Sequence, residues 1–349
     1  MLDQDALRVP VSEQLLINAS AETDAQRVLC TTVGRAQCAV ALAQQDPQRH
    51  IVCHQLDVYQ AEQTHLALDK YPNINVLCSP DFPDDEFDLF VMPVEKVGEA
   101  ELTRDWLQQG YDRLKTGGWL YTAVDNPKDK WLHHEVEKLS KGIVRRPKPR
   151  GMVYKLQKPG PLKRMRDFSC EFAFRDEGNL ISVVSRPGVF SHRRLDLGAR
   201  ALMESMTVFP GTRILDLGCG TGAVGLAALF RAEGTSAVGI DSNARAVQCS
   251  AVGAELNGVA DRFESRLDCD GTSVEEESFD LVVGNPPYFS NYQIAEIFLT
   301  TARRAVKAGG KVQMVTKKAD WYVARMEQLF GRKPDVTEQR GYLVVSVDA

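Results

Sequence analysis

The chain has 349 residues, 44% of them hydrophobic and 26% charged, with a formal charge of −5. That length accommodates two ordinary domains, the composition is that of a soluble globular protein rather than a disordered one, and no apolar run reaches membrane-spanning length. The negative charge argues against a uniformly basic nucleic-acid coat but leaves room for a local basic surface.

Residues 1–11 carry Asp3 and Asp5 and lack an apolar core, so they do not read as a signal peptide, and a cytoplasmic location is expected. The eight cysteines (Cys30, Cys38, Cys53, Cys78, Cys170, Cys219, Cys249 and Cys269) show no CxxC spacing, and the six histidines form no ligand pattern with them. Neither a metal site nor a disulfide framework is expected, and most of these cysteines read as small core residues.

Three blocks in the first half, residues 27–36, 87–93 and 114–118, have counterparts in the second half. Arg27-Val-Leu-Cys-Thr-Thr-Val-Gly-Arg-Ala matches Arg213-Ile-Leu-Asp-Leu-Gly-Cys-Gly-Thr-Gly, Phe87-Asp-Leu-Phe-Val-Met-Pro matches Phe279-Asp-Leu-Val-Val-Gly-Asn, and Leu114-Lys-Thr-Gly-Gly matches Val306-Lys-Ala-Gly-Gly. One such match arises easily by chance; three in the same order point to two copies of one fold. The first copy has Cys30 for Asp216, Thr32 for Gly218, Ala36 for Gly222 and Pro93 for Asn285. It keeps the scaffold and loses the glycines and polar groups, so it is expected to bind no cofactor.

Residues 141–166 follow, carrying Lys141, Arg145, Arg146, Lys148, Arg150, Lys155, Lys158, Lys163, Arg164 and Arg166 with no acidic residue. This stretch reads as a connector, either simply solvated or contacting phosphates. Residues 168–184 show strand-like alternation. Beyond them, strands are expected at residues 213–217, 236–240, 279–283, 311–316 and 342–347. Helices are expected at 225–231, 244–256 (closed by Asn257-Gly258), 294–306 (stopped by Gly309-Gly310) and 321–330. The expected fold class is α/β: two tandem Rossmann-like domains, residues 1–160 and 161–349, each a parallel sheet covered by helices on both faces.

The second copy carries the chemistry. At residues 215–222 a strand ends in Asp216 and a loop with Gly218, Gly220 and Gly222 opens a helix. Glycines let the chain turn sharply and a ligand approach closely. The Gly-Lys-Ser/Thr of a P-loop is absent, and the spacing is not that of a dinucleotide fingerprint. The packing of glycines suits a ligand end without phosphate, such as the amino-acid end of S-adenosylmethionine. Asp241 ends the next strand, placed to accept from two ribose hydroxyls, although Asp241 or Ser242 is also placed to cap the following helix. Asp268, with Asp270 as a competing assignment, stands in a loop where it can face the adenine amino group.

Asn285-Pro286-Pro287-Tyr288 directly follows the strand at 279–283. Two prolines hold a rigid extended turn and donate no hydrogen bond, leaving carbonyls free to accept. An exocyclic amine held by the Asn285 oxygen and the Pro286 carbonyl would have its lone pair aimed at a methyl donor, with Tyr288 stacking on the base.

Together these residues resemble the class I S-adenosylmethionine-dependent methyltransferases that act on planar amino groups. Residues 187–202, Pro-Gly-Val-Phe-Ser-His-Arg-Arg-Leu-Asp-Leu-Gly-Ala-Arg-Ala-Leu, look like the element preceding the cofactor loop in bacterial rRNA guanine-N2 methyltransferases. The layout of a degenerate methyltransferase-like copy followed by an active one is similar to the small-subunit rRNA methyltransferase C family. The resemblance implies methyl transfer to guanine N2 in rRNA or the small ribosomal subunit by a monomer. Asn285, Pro286 and Tyr288 would be catalytic; Asp216, Gly218, Gly220, Gly222, Asp241 and Asp268 would bind S-adenosylmethionine, leaving S-adenosylhomocysteine. That family usually has Phe where this chain has Tyr288, and Tyr is commoner in adenine-N6 and protein-glutamine methyltransferases. Those two activities, and a non-catalytic RNA-binding assembly factor, are the alternative readings. A nicotinamide dehydrogenase is disfavoured by the glycine spacing and by Asn285-Pro286-Pro287.

Overall fold

Short runs of Val, Ile, Leu and Cys, most of them followed by a helix, fold in each half into a mostly parallel sheet covered on both faces. The structure, a computed structural model, describes residues 8–287 and 291–349. It divides into two units, Met1–Phe168 and Ser169–Ala349. Among the described residues no helix is long and apolar enough to cross a membrane.

In the first unit α1 (Val11–Ala19) precedes β1 (Arg27–Thr31), α2 (Gln37–Gln45), β2 (His50–Gln55), α3 (Val58–Leu68), β3 (Ile74–Cys78) and β4 (Phe87–Val94). Then come α4 (Ala100–Asp112), β5 (Leu114–Val124), α5 (Trp131–Leu139), β6 (Ile143–Lys148) and β7 (Gly151–Gln157). The sheet order is β3-β2-β1-β4-β5-β7-β6, parallel except for β7, which pairs antiparallel with both β5 and β6.

The second unit opens with a separate hairpin, β8 (Cys170–Asp176) and β9 (Asn179–Ser185), then α6 (Leu197–Ser205). There follow β10 (Arg213–Leu217), α7 (Ala223–Leu229), β11 (Ser236–Asp241), α8 (Ala244–Leu256), β12 (Phe263–Leu267), β13 (Phe279–Gly284) and α9 (Gln293–Ala305). The unit ends with β14 (Val306–Thr316), α10 (Asp320–Phe330), β15 (Asp335–Gln339) and β16 (Tyr342–Asp348). Its sheet order, β12-β11-β10-β13-β14-β16-β15, repeats the first.

The repetition reaches single residues. Asp88 accepts from the backbone N–H of Arg27 and from Lys115, and its counterpart Asp280 accepts from the N–H of Arg213 and from Lys307. The register slips at the same place in both sheets, between Phe87 and Leu89 and between Phe279 and Leu281. Ala36 keeps the left-handed conformation (φ 55°) of its counterpart Gly222 (φ 77°), despite the cost of that conformation for a residue with a Cβ.

Two expectations need correction, and one strand was not expected. Most of the basic stretch is not a connector: β6 and β7 belong to the first sheet, with Met152, Tyr154 and Leu156 of β7 in its core. The cations obscured the strand because β6 lies at the sheet edge with nearly every side chain exposed. The helix expected to stop at Gly309-Gly310 ends at Ala305, and both glycines lie inside β14. The edge strand β15 escaped notice because Asp-Val-Thr-Glu-Gln, almost wholly exposed, has no apolar alternation. Five cysteines are buried core residues; Cys78, Cys170 and Cys269 are half-buried.

The degenerate loop of the first unit is filled from within. Glu13 of α1 is fully buried, and one of its oxygens accepts from the hydroxyl of Thr32 and from the N–H groups of Val33 (3.1 Å) and Gly34 (3.2 Å). The other accepts from the Cys38 N–H at 3.0 Å, at the start of α2. A buried charge of this kind is stable only when its hydrogen bonds are made, and its removal strands the donors. Glu13→Ala is therefore expected to destabilise the first unit by about 3 kcal/mol. Thermal or urea unfolding followed by a probe in that unit measures this, and an unmoved midpoint would exclude the role.

Candidate functional site

Strand order reverses at β10: the next strand, β11, lies on one side and β13 on the other. Loops leaving the carboxyl ends of β10 and β13 therefore part and leave a crevice, the usual ligand position in open α/β sheets. The predicted residues Asp216, Gly218, Gly220, Gly222, Asp241, Asn285 and Pro286 all stand at the carboxyl ends of β10, β11 and β13. Tyr288 lies outside the described residues.

Gly218, Gly220 and Gly222 all adopt positive φ, at 68°, 55° and 77°. The loop is pinned because the N–H groups of Gly218 and Cys219 both donate to the Ile240 carbonyl (2.9 and 3.0 Å). A Cβ on Gly218 would stand 2.7 Å from the Phe298 ring, and one on Gly222 2.8 Å from Ser250 Cβ. Gly220 differs: a Cβ there meets nothing within 4 Å. Two glycines are needed for packing, and the third borders open space.

Asp216 lies beneath this loop, buried, with one oxygen accepting from the Gly225 N–H at 3.1 Å. Burial pushes its pKa up to about 7, the Gly225 hydrogen bond opposes the rise, and the nearby Asp241 charge adds to it. The Asp241 carboxylate accepts from the N–H of Gly220 (2.8 Å) and of Asn243 (2.9 Å), tying the glycine loop to the end of β11. Neither Asp241 nor Ser242 caps α8. The cap is Asn243, whose side-chain oxygen accepts from the N–H groups of Arg245 and Ala246.

Asp268 serves its own loop. It accepts from the N–H groups of Asp270, Gly271 and Ser273 (2.9, 2.7 and 2.9 Å) and from the Ser273 hydroxyl. Those hydrogen bonds outweigh desolvation and hold its pKa below the usual carboxylate value. Four accepted hydrogen bonds thus order the loop around the Asp268 carboxylate.

Asn285 is half-buried, and its Nδ2 donates to Asp196 Oδ2 at 2.9 Å. Asp196 is the N-cap of α6, and the same oxygen accepts from the Ala199 N–H at 3.0 Å. A carboxylate only accepts, so the Asn285 amide must turn its NH2 toward Asp196 and its Oδ1 away. A charge-assisted hydrogen bond of about 2 kcal/mol keeps the opposite flip to a few per cent. Sequence reading passed over Asp196 because it stood only inside the motif before the loop. Tyr292 and Trp321 were also missed; their rings stack at 4.5 Å, just beyond the segment outside the described residues.

Residues 180–346 match the family model of the methyltransferase small domain. The chain is similar to ribosomal RNA small subunit methyltransferase C of Ectopseudomonas mendocina, 35% identical over 172 residues covering 48% of this chain and 50% of the relative. It is also similar to ribosomal RNA large subunit methyltransferase G of Streptomyces coelicolor, 31% identical over 47% of this chain and 45% of the relative. The chain spans about half the length of the curated relatives it matches. A solved structure of the 16S rRNA N2 G1207 methyltransferase of Thermus thermophilus, in complex with AdoMet and guanosine, superposes with a TM-score of 0.78. It covers 98% of this chain and 92% of that one at 21% identity, so both units share its fold: two tandem Rossmann-like methyltransferase domains.

The glycines of the loop after β10 separate packing from binding. Gly218→Ala is expected to cost about 3 kcal/mol of stability through a left-handed backbone and the clash with Phe298. Gly220→Ala should cost only about 1 kcal/mol yet weaken S-adenosylmethionine at least tenfold, because its methyl enters the open space. Calorimetric titration beside thermal melts distinguishes them; undiminished affinity in Gly220→Ala would place the ligand elsewhere.

Proposed function

We propose that this chain transfers a methyl group from S-adenosylmethionine to the exocyclic N2 amine of a guanine in ribosomal RNA, above all small-subunit rRNA, in the cytoplasm. S-adenosylhomocysteine is the other product. The observation that carries this reading is the Asn285 amide, whose Nδ2 donates to Asp196 so that Oδ1 is turned away as an acceptor. The names of the relatives support the substrate class.

When bound, the cofactor supplies a methyl group on a positively charged sulfur, which is already a good leaving group, so positioning is the main task left to the protein. The loop of Gly218, Gly220 and Gly222 lets the ligand approach the backbone, with Asp216 beneath it. Asp241 accepts from the ribose hydroxyls. Asp268 acts through the loop it orders, against which the adenine rests. Asn285 Oδ1 and the Pro286 carbonyl each accept one amine N–H, and Tyr288 stacks on the base. The amine lone pair then forms the new N–C bond as the S–C bond breaks, and the surplus proton leaves the nitrogen for solvent.

RNA is gripped by the first unit. The edge strand β6 carries Arg145, Arg146 and Lys148, whereas its counterpart β15 in the second unit carries Asp335 and Glu338. One scaffold thus presents opposite charges at equivalent edges, and only the basic one suits phosphates.

Labelled S-adenosylmethionine should give N2-methylguanosine with unmethylated small-subunit rRNA or the assembled subunit; label in adenosine or in release factor instead would overturn the substrate. Asn285→Ala should abolish transfer while leaving cofactor affinity within about twofold. A collapse of affinity would make Asn285 structural. Neutralising Arg145, Arg146, Lys148 and Arg150 together should weaken RNA binding and lower the slope of log K against log salt by about 3. An unchanged slope would remove this edge from the interface.

A further inference from the structure

We propose that Asp196 is the residue that selects guanine: it fixes the Asn285 amide and accepts the N1–H of the target base. This deepens the methyl-transfer reading and rests on it. Both hydrogen bonds found at Asp196, from Asn285 Nδ2 and from the Ala199 N–H, go to Oδ2. Among the described residues nothing donates to Oδ1. The carboxylate is half-buried and immediately adjoins the amide that holds the amine. Gly198 makes that closeness possible, since a Cβ there would stand 2.8 Å from Asp196 Oδ2 and 3.1 Å from Asn285 Oδ1.

The chemistry of the base edge decides what fits. In guanine the N2 amine lies beside N1–H, two donors in a row. In adenine the N6 amine lies beside N1, a lone pair, and in a glutamine side chain the amine lies beside a carbonyl oxygen. A carboxylate accepts only. It completes the guanine edge and meets the other two lone pair against lone pair. Sites built to hydrogen-bond a donor reject analogues lacking it far more strongly than apolar pockets reject a change of size. The discriminating group is thus Asp196, the N-cap of α6.

The test uses full-length protein with S-adenosylhomocysteine, titrated with guanosine and with 2-aminopurine riboside. The second nucleoside keeps the amine at C2 but has a lone pair at N1. The wild type should prefer guanosine by about tenfold or more. Asp196→Asn retains an oxygen for Asn285 and for the α6 cap, but offers an NH2 where the free carboxylate oxygen stood. It should erase or invert the preference while the melting temperature and the S-adenosylhomocysteine affinity hold. Equal binding of both nucleosides by the wild type, or an unchanged ratio in Asp196→Asn, overturns the proposal. Methyl transfer to RNA, measured in parallel, separates the two claims. Transfer to guanine N2 with an unchanged ratio sinks only the role of Asp196, and no transfer to any guanine sinks both.

Discussion

Backbone polarity at the reversal of strand order governs the site. In a parallel sheet every strand delivers its chain to the same edge, and at β10 the neighbouring strands lead their helices to opposite faces. Three loops from β10, β11 and β13 must therefore open around one crevice. What the sequence adds is the means to keep that crevice in shape. Ile240 fixes the glycine loop through its carbonyl, Asp241 fixes it again through Gly220, and Phe298 fills the space beneath Gly218 and Gly284. Little is left to reorganise when a ligand arrives, which suits a reaction whose barrier is lowered chiefly by orientation.

The first unit shows the same scaffold with its ligand space closed. The acid that β10 supplies as Asp216 is absent from β1, where Cys30 stands, and α1 supplies Glu13 instead. The donors of the old loop and of the α2 start are thus satisfied by the protein itself. A parallel αβ loop leaves N–H groups that need an acceptor whether or not a ligand comes. In the first unit Glu13 is that acceptor. The surface could then diverge, as the basic β6 and the acidic β15 did.

The fold was largely legible because its evidence is local and repeated. Buried parallel strands read as short apolar runs, and three matched blocks disclose the duplication. Elements with exposed side chains were not legible: β6 and β15 are edge strands whose residues respond to solvent and not to a core. Within the site, glycines announced themselves through spacing, and the Asn285-Pro286-Pro287 turn through rigidity. Long-range partners did not. The hydrogen bond between Asp196 and Asn285 joins residues 89 positions apart, and nothing near either one discloses the other. The loop bonds of Asp268 are local by contrast, since its partners are two to five residues away.

The duplication itself bears on whether Asp196 and Asn285 act as a pair. Where the second unit has Asn285 at the end of β13, the first has Pro93. Where α6 begins at Asp196, the corresponding helix α1 begins at Pro10, with no side-chain cap. A cap alone would have served α1 as well as α6, since both helices precede the first strand of a sheet and both need their N–H groups satisfied. The carboxylate stands only in the copy that also has the amide. A residue retained purely for helix stability would not track a substrate-facing neighbour in this way, whereas one that orients the amide and reads the base has no purpose once the amide is gone.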